Sequence, residues 1–88
     1  MKTEEFKSWE EFWDCYKSLQ WYFMESKKQA IVDYMEEIPK YVNGLTDGWI
    51  EFKIRFNSLE KMWGSQLIGE PGVSYLRIKK YLEARFKI

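Results

Sequence analysis

A chain of 88 residues in which 14 Lys and Arg balance 14 Asp and Glu is expected to be one small, neutral domain spanning 1–88, near the lower size limit for folding without staples. Nearly a fifth of it is aromatic, including five Trp, and because each buried ring removes roughly 150–250 Å² from water, a handful is enough for a core. With no His and only Cys15, the usual Ser or Cys triads, an internal disulfide and most zinc or haem sites are excluded, so no catalytic residue, metal or cofactor is expected.

The first segment carries a clear helical period. Phe6, Trp9, Trp13, Tyr16, Gln20 and Phe23 recur at spacings of three and four, with Phe12 and Leu19 beside them, which makes one broad apolar face. Thr3 is a suitable N-cap and Glu4 and Glu5 suit the helix dipole, so the spacing predicts a helix over 4–24. Trp21 is expected at the side of the apolar face, near Lys17 and Asp14, with Tyr22 almost opposite. Cys15 falls near the edge of the helix, as a small structural residue would.

The second segment repeats the pattern through Ile31, Tyr34, Met35, Ile38, Tyr41, Val42 and Leu45. Pro39 removes a backbone donor inside that run and predicts a kink or break, with a short second piece closing on a left-handed cap at Asn43-Gly44.

Residues 49–63 admit two readings. Asp47 can cap a helix in which Trp49, Phe52, Phe56, Leu59 and Trp63 share one face, leaving Ile50 and Ile54 off the stripe. Residues 49–56 also alternate as a half-buried strand does. The helical reading covers the longer stretch with one pattern and is preferred. Gly64 to Gly72 reads as a loop. In the last segment Tyr75, Ile78, Leu82 and Phe86 form a helical stripe, while Leu76, Ile78, Leu82, Ala84, Phe86 and Ile88 would share a strand face. A strand that long is unusual, and Leu, Lys, Glu, Ala and Arg favour helix. The fold class is therefore all-α, a compact four-helix bundle with antiparallel neighbours. The alternative is α+β, with two N-terminal helices on a small antiparallel sheet formed by about 49–56 and 74–86.

Charge is unevenly spread. Residues 1–47 hold ten Asp or Glu and six Lys, a net of −4, and residues 48–88 hold eight Lys or Arg and four Glu, a net of +4. Met1 to Glu5 lead into an amphipathic stretch rather than an apolar leader, and no run is long enough to span a membrane, so a cytoplasmic location is expected. The glycines match neither the phosphate-binding loop nor the dinucleotide fingerprint. Asp33, Glu36, Glu37 and Lys40 form a stripe opposite the apolar face of the second helix, as a solvated face does, and a catalytic carboxylate pair would need a cleft that a small bundle seldom provides.

What remains is binding. Trp and Tyr outside the core are enriched where proteins meet, and a small, rigid, acidic-faced domain suits stoichiometric blocking of an enzyme. The expectation is an inhibitor such as an immunity, antitoxin or anti-defence protein acting on a partner protein, a toxin or nuclease. Trp21 and Tyr22 would be its anchors, and Glu10, Asp14, Asp33, Glu36 and Glu37 its charged contacts. Two alternatives stay open. One is a small nucleic-acid-binding regulator using Arg77, Lys79, Lys80, Arg85 and Lys87 with Tyr75, Tyr81 and Phe86. The other is an accessory subunit or adaptor of a larger assembly.

Overall fold

The first helix begins where the sequence Ser8-Trp9-Glu10-Glu11 closes a reciprocal cap. Ser8 Oγ accepts from the amide of Glu11 at 3.2 Å, and Glu11 Oε1 accepts from the amide of Lys7 at 2.7 Å. One orphan donor of the first turn, the Glu11 amide, is thereby satisfied together with the Lys7 amide just before the cap. A computed structural model describes residues 6–86. It gives α1 as Trp9–Glu25, so the expected start near residue 4 is corrected, and Thr3, Glu4 and Glu5 lie outside the described residues. Phe6 precedes the cap and folds back onto Phe12 with ring centroids 5.6 Å apart, which is why it shares the apolar period without being helical.

Helix α2 (Gln29–Glu37) passes into a 3₁₀ turn, Ile38–Tyr41, at the position where Pro39 withdraws its donor. Gly44 is left-handed, at φ 88°. It lies three residues past the end of that turn and serves the approach to α3, where Asn43 Oδ1 accepts from the amide of Leu45 at 3.1 Å. It is not the cap of the preceding helix. Helix α3 (Thr46–Trp63) takes in the whole ambiguous stretch. Its N-cap is Leu45, and Asp47 sits inside the first turn rather than at the cap.

A 3₁₀ turn, Gly64–Gln66, leads to α4, Glu70–Arg85. This helix opens earlier than the sequence suggested. Pro71 occupies the first turn, where a missing N–H costs nothing, and the expected loop over Gly64 to Gly72 ends at Gly69. The all-α bundle is therefore the fold of the described residues, which contain four α-helices and no strand. None of the helices is long and apolar enough to cross a membrane.

The core is built from Phe12, Tyr16, Leu19 and Phe23 of α1, Ile31 and Met35 of α2, Phe52, Phe56 and Leu59 of α3, and Tyr75, Ile78 and Leu82 of α4, all essentially inaccessible. Three phenols, those of Tyr16 and Tyr75 buried and that of Tyr34 half-buried, join the helices as well as fill them. Tyr16 donates to the Met35 carbonyl at 2.7 Å, and Tyr34 to the Arg55 carbonyl at 2.8 Å. Tyr75 lies between the carbonyls of Phe56 and Asn57 at 3.4 and 3.3 Å, its ring stacked on Phe56. Lys53 is buried, and its ammonium donates to the Phe86 carbonyl at 2.8 Å, satisfying the C-terminal end of α4.

Candidate partner-binding surface

Helix α1 packs between α2 and α4 and runs antiparallel to both. Towards α2, Tyr16 reaches Met35 and Gln20 reaches Val32 and Glu36. Towards α4, Trp9 meets Tyr81 and Arg85, while Cys15 lies beside Ser74 and Arg77. With 3.6 residues per turn, the ridge opposite the core stripe is Glu10, Asp14, Lys17, Trp21 and Glu25. Trp21 therefore points straight outward and is 59% exposed, while Tyr22 lies on the flank facing α4 and is 39% exposed. The expected positions of these two rings are thus exchanged.

Trp21 and Tyr22 border a hollow of about 520 Å³ between the C-terminal half of α1 and the first turns of α4, with Pro71 and Val73 on its other side. A second hollow of about 570 Å³ lies between α3 and α4 and shares Val73, adding Leu67 and Leu76. Val73 and Leu76 are 67% and 49% exposed, and Ile68, beside Tyr22, is 71% exposed. Together these side chains form an apolar strip across the face.

The hollows exist because the backbone supplies little to fill them. Gly69 enters α4 at φ 68°, a left-handed position that disfavours a side chain. At Gly72 a Cβ would meet the Leu67 carbonyl oxygen at 2.5 Å.

The expected charged contacts divide into two groups. Glu10 and Asp14 share the outward ridge of α1 with Trp21, and neither side chain forms an ion pair among the described residues. Asp33, Glu36 and Glu37 lie exposed on α2. Asp33 accepts from Gln29 at 2.8 Å, Glu36 from Gln20 at 2.8 Å, and Glu37 stands 3.5 Å from Lys40. Gln20 and Glu36 are on the flank of α1 away from Tyr22. The structure thus brings Trp21 together with Tyr22 and with the ridge carboxylates, and it separates Tyr22 from the α2 carboxylates.

Sequence reading missed Ile68, Val73, Leu76 and Glu70 as parts of this face. The Glu70-Pro71-Gly72 run was the available signal, since Pro in a first turn marks a helix start and places Val73 and Leu76 three apart on one side.

The aromatic residues of the C-terminal segment are mostly committed inward. Tyr75 and Tyr81 are buried, and Phe86 stacks on Trp49 with centroids 5.2 Å apart. Arg77 lies over the Phe6 ring, Arg85 over Tyr81, and Lys79 pairs with Glu60 at 3.0 Å. Lys87 lies outside the described residues.

Among the described residues three groups have shifted ionisation, and burial is the leading cause in each. The Cys15 thiol is pushed up, opposed by the nearby Arg77 charge. The Tyr16 phenol is pushed up strongly, with Glu36 adding to the effect. The Tyr75 phenol is pushed up to about 12, with Glu60 adding to the effect. All three are thereby held in the neutral form at neutral pH. Set against known protein families, curated proteins and solved structures, the chain matches none of them.

Proposed function

We propose that this protein works by stoichiometric binding to a partner protein and not by catalysis, as an inhibitor of the immunity or antitoxin kind would. The observation that carries the reading is the Trp21 ring, 59% exposed on the outward ridge of α1. It stands beside Tyr22 and an apolar strip, in a protein whose other tryptophans are packed against the core. A large rigid ring in this setting adds contact area at little entropic cost, which is how binding anchors are built. The carboxylates Asp14 and Glu10 lie about two and three turns before it on the same ridge, and the α2 carboxylates extend the acidic surface past the flank facing α2. An acidic surface of this kind suits a target with a basic active site, such as a nuclease.

The test is capture of partners from source cells with the wild-type protein and with the Trp21→Ala/Tyr22→Ala variant. A protein recovered in equimolar amount by the wild type should be lost from the variant, with binding weakened by about 2 kcal/mol or more, roughly thirtyfold. The captured enzyme should lose activity at one equivalent of wild-type protein. Reversing Glu36 and Glu37 together should slow association and flatten its salt dependence. Equal capture by wild type and variant would remove the anchors, and unchanged kinetics on charge reversal would remove the electrostatic part.

A further inference from the structure

We infer that the groove between the C-terminal half of α1 and the start of α4, continuing past Val73 to Leu76, receives an apolar peptide segment of the partner that carries Lys or Arg. This rests on the partner-binding reading above and specifies which face is used and what chemistry enters it.

The argument starts from what lines the two hollows. Their walls are apolar or backbone at Tyr22, Pro71, Val73 and Leu76, which asks for aliphatic or aromatic side chains in the occupant. Among the described residues the only charged lining groups are carboxylates, Glu70 in the first hollow and Glu60 in the second, and no Lys or Arg lines either. Lys79 stands 3.0 Å from Glu60 and partly balances it. Glu70 forms no ion pair among the described residues. An apolar groove with an unbalanced carboxylate at its edge selects an apolar ligand that brings a cation, and it disfavours an acidic one.

The same charge argues against a second copy as occupant. An isologous contact over this strip sets the same acidic patch on both sides, so Glu70, which forms no ion pair among the described residues, would be brought against a surface whose lining charges are again carboxylates. A partner segment with Lys or Arg beside its apolar residues has no such penalty.

The experiment is selection of a displayed random-peptide library on the immobilised full chain. One enriched sequence is then synthesised and titrated against wild type, Val73→Glu, Glu70→Gln and Trp21→Ala. Val73 and Glu70 are exposed, and circular dichroism of each variant verifies that it remains folded. The expected result is enrichment of sequences combining aromatic or aliphatic residues with Lys or Arg. Binding should weaken at least about tenfold on Val73→Glu and about threefold on Glu70→Gln, with a shallower salt dependence in the latter.

Enriched peptides that are neutral or acidic overturn the inference, as does binding indifferent to Val73→Glu and Glu70→Gln. If that indifferent binding is nevertheless lost in Trp21→Ala, the groove is wrong and the partner-binding reading stands on the α1 ridge. No enrichment at all overturns the groove assignment; only if capture from cells also fails does the partner-binding reading fall with it. A concentration-dependent dimer in sedimentation that Val73→Glu dissociates would make the strip a homodimer seam and overturn the inference in that direction.

Discussion

At the start of α1, Trp9 lies stacked 4.5 Å from Trp49, edge-on to Phe12 and Tyr81, and within 6.3 Å of Phe86. Three turns further along the same helix, Trp21 is more than half exposed, and no ring pair or cation–π contact forms on it among the described residues. The difference begins with the helix face, since Trp9 lies on the core side of α1 and Trp21 on the ridge opposite it, and it is reinforced by what stands around each end. At the first, the segment around Phe6, the start of α3 and the end of α4 converge, each contributing a ring. At the second, the neighbours are the turn after α3 and the opening of α4, where Gly64, Gly69, Pro71 and Gly72 offer backbone and little side chain. An aromatic residue becomes core only where its helix face is covered: Phe23, on the core stripe at the same end, is buried, while Trp21 on the outward ridge is left as surface.

The largest expected effect comes from breaking the covered end. Trp49 stacks on both Trp9 and Phe86 and meets Phe12, Trp13 and Phe52 edge-on or tilted, all within 6.0 Å. Trp49→Ala removes those contacts and leaves a void that rigid neighbours fill poorly, so unfolding free energy should fall by about 3 kcal/mol. Urea denaturation measures it directly. A loss below about 1 kcal/mol would mean the cluster contributes little beyond covering solvent, and the contrast between the two ends would collapse.

A smaller effect separates interior from surface through pH. Burial raises the Tyr75 phenol from its ordinary value of 10.0 to about 12. In the unfolded chain this phenol ionises near its ordinary value, while in the folded protein it still holds its proton. The unfolded state therefore binds fewer protons through that window, and stability present below pH 10 is lost as pH rises towards 12. Tyr16 shifts in the same direction and steepens the loss. Denaturation midpoints measured across the alkaline range should fall, and Tyr75→Phe should make the fall shallower. An identical slope in that variant would place the alkaline sensitivity elsewhere.

The covered end was also the more legible one. The stripe of α1 stands out because its apolar residues keep helical spacing, though the start was obscured. Phe6 falls in phase with Trp9 and Trp13, so periodicity alone ran through the Ser8 cap that the Ser-x-x-Glu pattern marks. In α3 the strand-like alternation came from Ile50 and Ile54, which lie off the buried face. Ile54 is 46% exposed, while Glu51 and Arg55 beside them form an i,i+4 pair at 2.6 Å. The exposed end was legible only in part. Trp21 and Tyr22 fall off the apolar stripe and can be flagged from a helical wheel. Ile68, Val73 and Leu76 join them through tertiary placement of a turn and a helix start, and no single-segment pattern carries that information.

The smallest expected effect is the sharpest test of the comparison. If Trp21 is surface, Trp21→Ala should change unfolding free energy by less than about 0.5 kcal/mol, since the substitution removes no buried contact and opens no cavity. The same substitution is expected to abolish most partner binding, so stability and binding should separate completely at this residue. At Trp49 they should not, because a destabilised fold loses both. A loss of about 2 kcal/mol on Trp21→Ala would instead show the ring supporting the groove wall over Pro71 and Val73. It would then be a structural residue, and the binding face would have to be sought on the α2 carboxylates instead.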